Sequence, residues 1–218
     1  MFLIFLNASM ALAEKPGFNS AETKVSPTHP SIDIAIAKGD LPDVKLHLAA
    51  DPAKLNQGAT EKSRTPLEQA VLRNKQDIAI FLLEKGANPK TADKSKRTPL
   101  HLAIERNNPK LITALLAAGA QPNLRDKGGW TPLHHAAAKN QLETTKALIA
   151  GGADPMTLSD LGGTPLHEAA ASGGKEVIEL LLASGVNPSI KSKQNVTALD
   201  LAKEYKNLPA IEVLEKLE

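Results

Sequence analysis

The apolar positions of this chain come in short bursts at helical spacing, two bursts to a unit, with polar connectors between units. In the first burst they stand at i, i+3 and i+4, as in Leu100, Ala103 and Ile104 or Leu166, Ala169 and Ala170. That spacing lines one face of an α-helix. The second burst is richer in large aliphatic residues: Ile78, Phe81, Leu82 and Leu83; Leu111, Ile112, Leu115 and Leu116; Val177, Ile178, Leu180, Leu181 and Leu182. Each unit therefore predicts two short helices. Alanines let the first helices of neighbouring units approach more closely than the Leu-rich second helices can, so a stack of units should curve.

Punctuation marks the helix ends. Thr65-Pro66-Leu67-Glu68, Thr98-Pro99-Leu100-His101, Thr131-Pro132-Leu133-His134, Thr164-Pro165-Leu166-His167 and Thr197-Ala198-Leu199-Asp200 follow one another every 33 residues without a slip. Thr is a good helix N-cap, and Pro suits the first helical position, where its missing N–H would be unpaired anyway. Nine residues after four of these Thr stand Asn74, Asn107, Asn140 and Gly173, which tolerate the left-handed conformation that ends a helix. Gly86, Gly119, Gly152 and Gly185 end the second helix in the same way. A fixed period of this length is the signature of a solenoid.

The ends of the array differ from its middle. Ile32, Ala35, Ile36 and Gly39-Asp40-Leu41 fit the same pattern if the connector after Leu48 is two residues longer. In the last unit Lys203 and Glu215 replace apolar residues, as a terminal unit with no outer neighbour requires. Thr144 and Thr145 stand where other units have a branched apolar pair, so the fourth unit should be the softest.

These motifs resemble the ankyrin repeat: the T-P-L-H-x-A opening, and the helix ends Lys85-Gly86-Ala87-Asn88-Pro89 and Gly151-Gly152-Ala153-Asp154-Pro155. Asp126 and Gly129 match the family's turn, whereas two connectors carry Lys96 and Asn195 where that turn has glycine. The resemblance implies an all-α ankyrin-repeat solenoid of helix-turn-helix units joined by β-hairpin loops. It covers an N-terminal cap repeat at 30–64, full repeats at 65–97, 98–130, 131–163 and 164–196, and a C-terminal cap at 197–218. It also implies that the motif histidines hydrogen-bond within and between repeats.

Ahead of the array, residues 1–13 join an apolar run, Phe2–Leu6, to the small-residue pattern Ala11-Leu12-Ala13. This looks like a signal peptide and predicts a periplasmic or secreted protein; without cleavage the expectation becomes cytoplasmic. Residues 14–29, rich in Pro and polar residues, read as a flexible linker.

Composition adds mostly exclusions. There is no Cys, so disulfides and thiolate metal sites are excluded. Aromatic residues make up 3%, so the core must be aliphatic. His101, His134 and His167 occupy one repeat position; stacked helices lie about 8–10 Å apart, whereas His–metal bonds are about 2 Å. No metal, cofactor or catalytic set is expected, and the chain does not read as an enzyme. Asn195-Val196-Thr197 is a glycosylation sequon whose use depends on export and source.

The net charge of +2 hides an asymmetry. The resemblance implies a concave groove formed by connectors and first helices, where a partner protein binds. Eight residues after each motif Thr, that surface reads Arg73, Arg106, Lys139, Ser172 and Tyr205, preceded by Lys38 in the front cap. The position before the motif Thr reads Arg64, Arg97, Trp130, Gly163 and Val196, and the connectors add Lys62, Lys94, Lys127 and Lys193 against Glu61 and Asp160. A basic stripe therefore spans the first four units. Its expected partner-binding residues are Arg64, Arg73, Lys94, Arg97, Arg106, Lys127, Trp130 and Lys139. A wall of one charge concentrates oppositely charged partners, and Trp and Arg are frequent binding hot spots. The expected partner is an acidic protein surface bound by a monomer. An anionic polymer, nucleic acid or a cell-envelope polymer, is the alternative occupant of the basic groove, although scarce aromatics argue against single-stranded nucleic acid.

Overall fold

The computed structural model describes residues 26–58, 64–172 and 174–217. The expected signal peptide, most of the linker, Glu61, Lys62 and Gly173 lie outside these residues.

Among the described residues, twelve α-helices follow one another in six pairs. The inner helices are α1 (Ile32–Lys38), α3 (Pro66–Leu72), α5 (Pro99–Ile104), α7 (Pro132–Ala138), α9 (Pro165–Ser172) and α11 (Ala198–Glu204). The outer helices are α2 (Leu41–Ala50), α4 (Gln76–Glu84), α6 (Pro109–Ala117), α8 (Leu142–Ala150), α10 (Lys175–Ala183) and α12 (Leu208–Leu214). Each inner helix packs on the next inner one, and each outer helix on the next outer one. A 3₁₀ turn, Pro52–Leu55, occupies the longer connector of the first pair.

The core runs unbroken between the two layers. Ala70, Ala103, Ala136, Ala169 and Ala202 bring the inner helices together, and Leu82, Leu115, Leu148 and Leu181 fill the outer layer, all fully buried. No single pair could hide these side chains alone, so neighbours stabilise each other. Thr144 and Thr145 are fully buried in the same layer. The Thr144 hydroxyl donates to Asn107 Oδ1 at 3.0 Å, whereas Thr145 Oγ1 has no partner.

The helix ends follow from local chemistry. Thr65 and Glu68 form a reciprocal capping box: Thr65 N–H donates to Glu68 Oε2 at 3.0 Å, and Glu68 N–H to Thr65 Oγ1 at 3.3 Å. Such a cap contributes about 1 kcal/mol. Asn74, Asn107 and Asn140 have φ of 53°, 47° and 53°, the left-handed conformation that lets the chain turn into the outer helix.

The connectors are not the expected β-hairpins. Among the described residues there is no β-strand. Each of the last four connectors instead reverses once and is closed by two backbone bonds: the N–H at the head of the turn donates across it, Asp93 to Arg97 O (3.0 Å), Asp126 to Trp130 (2.9 Å), Ser159 to Gly163 (2.7 Å) and Ser192 to Val196 (2.9 Å), and the carbonyl of the same residue accepts from Lys96 (2.8 Å), Gly129 (3.0 Å), Gly162 (2.9 Å) and Asn195 (2.9 Å). Five residues make the whole reversal, which leaves no room for the ladder of rungs that a strand pair needs. In two of the turns a carboxylate reinforces it: Asp93 Oδ1 gathers the N–H groups of Ser95 and Arg97, and Asp126 Oδ1 those of Gly128 and Trp130. Lys96, Gly129, Gly162 and Asn195 all hold positive φ at the tight corner. At Gly129 the glycine is also required by space, because a Cβ would stand 2.3 Å from Asp160 Cγ.

Candidate functional site

Inner helices and connectors together wall a groove of about 1030 Å³ along the first three pairs. Arg64, Arg73, Lys94, Arg97 and Arg106 line it, joined by Asp33, Glu68, Gln69 and Asp93. The other three expected residues do not line this groove: Lys127 and Trp130 lie at the end of the third unit, and Lys139 belongs to the fourth.

The repeat places these side chains. The end of each inner helix delivers Arg73, Arg106 or Lys139 to solvent, and the connector tips deliver Lys94 and Lys127; all five are exposed. Arg97 is different. Its guanidinium clasps Asp93 Oδ2 through Nε at 3.1 Å and Nη2 at 2.9 Å. Burial would raise the Asp93 carboxyl, but the bonds from Arg97 and Ser95 win and hold it below its ordinary range. Arg97 is therefore bound into its own turn. Lys139 reaches across one repeat to Glu105 at 3.2 Å.

The acids of the groove are the feature that the sequence reading missed, and all are occupied. Asp33 accepts from Gln69 Nε2 at 2.7 Å, Glu68 closes the capping box, and Asp93 holds Arg97. Arg64, Arg73, Lys94 and Arg106 carry no ion pair among the described residues. The repeat position of Asp93, at the head of each turn, could have flagged it.

Trp130 is half-buried. Its ring meets His135 edge-on at 5.1 Å between centroids, and its carbonyl faces His101 Nε2 at 3.3 Å. His135 Nε2–H in turn donates to Asp126 Oδ2 at 2.8 Å. His135 stands four residues after Thr131, a groove-facing position that a reading of the eighth residue alone passes over.

The three motif histidines serve the scaffold. His101, His134 and His167 each accept at Nδ1 from the N–H of the motif Thr, at 3.2, 3.3 and 3.1 Å. That leaves the proton on Nε2, facing the carbonyls of Trp130, Gly163 and Val196 in the next connector at 3.3, 3.1 and 3.3 Å. Burial pushes His101 and His134 down to about 4 and lowers His167, so the neutral ring stitches one repeat to the next. Among the described residues no group of three or more His, Asp or Glu converges to hold a metal ion. None of their helices is long and apolar enough to cross a membrane.

A family model described as ankyrin repeats (3 copies) matches residues 32–126, 105–192 and 133–217. No curated protein matches the chain.

Proposed function

The chain belongs to the ankyrin-repeat family, and from that premise we propose that it holds an acidic partner protein, without catalysis, in the groove along its first three repeats. One observation carries the reading. The acids of the groove are engaged by its own side chains and caps, whereas Arg64, Arg73, Lys94 and Arg106 line it without an ion pair among the described residues. Unsatisfied charge of one sign on a shared wall attracts and orients the opposite sign. Arg adds a planar fork that grips carboxylates at two points. The three acids on the wall weigh against a polyanion, which would lie against them along its length.

We place the protein outside the cytoplasm, on the strength of the apolar run and the Ala11-Leu12-Ala13 pattern, with a single chain presenting the groove. The test is to pan a displayed-peptide library on the full chain and on its Arg73→Glu/Arg106→Glu variant, whose exposed positions leave the fold intact. Peptides selected by the native chain should be acidic, bind the variant at least about tenfold more weakly, and weaken as salt screens the contacts over ~8–10 Å. Selected peptides without acidic bias, or equal affinity for both chains, would refute the proposal.

A further inference from the structure

In the outer layer, α2 and α4 wall a second cavity, of about 520 Å³, that shares no lining residue with the inner groove. Three departures from the repeat meet there. The longer first connector brings in its 3₁₀ turn, which contributes Pro52 and Leu55. Phe81 stands where the next three outer helices carry Ala114, Ala147 and Leu180. Lys85 stands where those helices are followed by Ala118, Gly151 and Ser184. Leu48 and Ala49 on α2 complete the floor, one helical turn beyond Lys45. Leu48, Leu55 and Phe81 are half-buried and pack on the core, whereas Lys45, Ala49, Pro52 and Lys85 are exposed, so the cavity opens to solvent.

One ring gathers both lysines. Lys45 Nζ lies 5.3 Å and Lys85 Nζ 5.7 Å from the centroid of Phe81, whose face attracts ammonium groups. Neither lysine has an ion pair among the described residues, and no residue lining the cavity is acidic. Asp51, at the head of the 3₁₀ turn, is held by its own cap and accepts from Ala53 N–H at 3.1 Å. An apolar floor with two unpaired cations at its rim complements a molecule with an apolar body and an anionic head. A peptide fits less well. No side chain of the lining accepts a hydrogen bond, so backbone N–H groups laid on it would lose water without compensation. An alkyl chain has no such groups, and the volume lies within the ~300–1,000 Å³ usual for small-molecule sites. We infer that this cavity binds a long-chain carboxylate, of the fatty-acid class, with its chain on Leu48, Leu55 and Phe81 and its head between Lys45 and Lys85. The site does not depend on the inner groove, and either stands without the other.

The probe is decanoate, kept below its micelle-forming concentration and titrated into the full chain by calorimetry, with the signals of Phe81, Lys45 and Lys85 followed by NMR. Acetate lacks the alkyl chain, and decyltrimethylammonium reverses the charge of the head. Decanoate should shift those three signals and bind at least about tenfold more tightly than either control, since one loses apolar burial and the other the charge-assisted contacts. Its preference over the cationic amphiphile should vanish in Lys45→Gln/Lys85→Gln, whose exposed positions leave the fold intact. Phe81→Ala, which installs the residue of the third and fourth repeats, should weaken decanoate by about tenfold through lost apolar contact. Arg73→Glu/Arg106→Glu should bind decanoate as the native chain does. Equal binding of both heads, a preference that survives in the lysine variant, or loss of binding in the inner-groove variant would overturn the inference. It also falls if an acidic peptide selected on the chain displaces decanoate, or if the chain sediments as a dimer that Phe81→Ala dissociates, because the cavity would then belong to a protein partner or to a second copy.

Discussion

At the scale of single residues, titration separates scaffold from surface. His101 and His134 sit near 4 in the fold, against an ordinary 6.5. Above pH 6.5 both folded and unfolded chains hold the rings neutral. As pH falls below that, the unfolded chain takes up protons that the fold refuses until about 4, so stability is lost across this window. The expected loss by pH 4.5 is of the order of 2 kcal/mol per histidine, read from urea unfolding at pH 7 and pH 4.5. His134→Gln, which keeps a capping amide, should lose part of the slope; a native chain equally stable at both pH values would contradict this. Glu168 has the opposite sign. Its folded value of about 7 exceeds the ordinary 4.5, so it costs nothing at pH 4 and most at pH 8. Glu168→Gln should be more stable than the native chain by about 1–3 kcal/mol at pH 8 and equal to it at pH 4. The role of the motif histidines was legible because they recur at one position. Glu168 was not, because the abnormal feature is the absence of a partner, which only packing reveals.

At the scale of elements, helix limits were written in Thr-Pro, Asn and Gly, and the structure ends its helices at those marks. The connectors were misjudged for a physical reason. The hairpins were implied by the family's turn at Asp126 and Gly129, but each of the last four connectors reverses within five residues, too few for a ladder, and Asp93 and Asp126 also collect inward N–H groups there. Side-chain competition of this kind depends on geometry as well as residue type. The outer layer of the fourth repeat gives a test of packing. Thr145 is wholly buried with an unpaired hydroxyl, and valine has the same shape without the polar atom. Thr145→Val should therefore raise unfolding free energy by about 1 kcal/mol, measured by urea denaturation. A destabilised variant would mean that the hydroxyl has a partner after all. Thr144 is the control, since Thr144→Val loses its bond to Asn107 and should not share the gain.

At the scale of the whole molecule, the six described helix pairs form one continuous core, and the later repeats are tied together by the motif histidines and by backbone bonds between connector tips, such as Lys127 N–H to Ser95 O at 2.8 Å. The scaffold holds separate side chains in one row, so charges far apart in sequence share a wall. The basic row was readable from its period. That the acids beside it are already engaged, and that Arg97 belongs to its turn, needed the three-dimensional contacts. The central claim is that free cations on the first three repeats receive an acidic partner. Chemical-shift mapping of the labelled full chain, titrated with an acidic peptide selected on it, tests this most directly. The account predicts that the perturbed signals are those of Arg64, Arg73, Lys94 and Arg106, with the outer helices α4 and α6 unmoved. Perturbations gathered on α4 and α6, with those four cations silent, would contradict it.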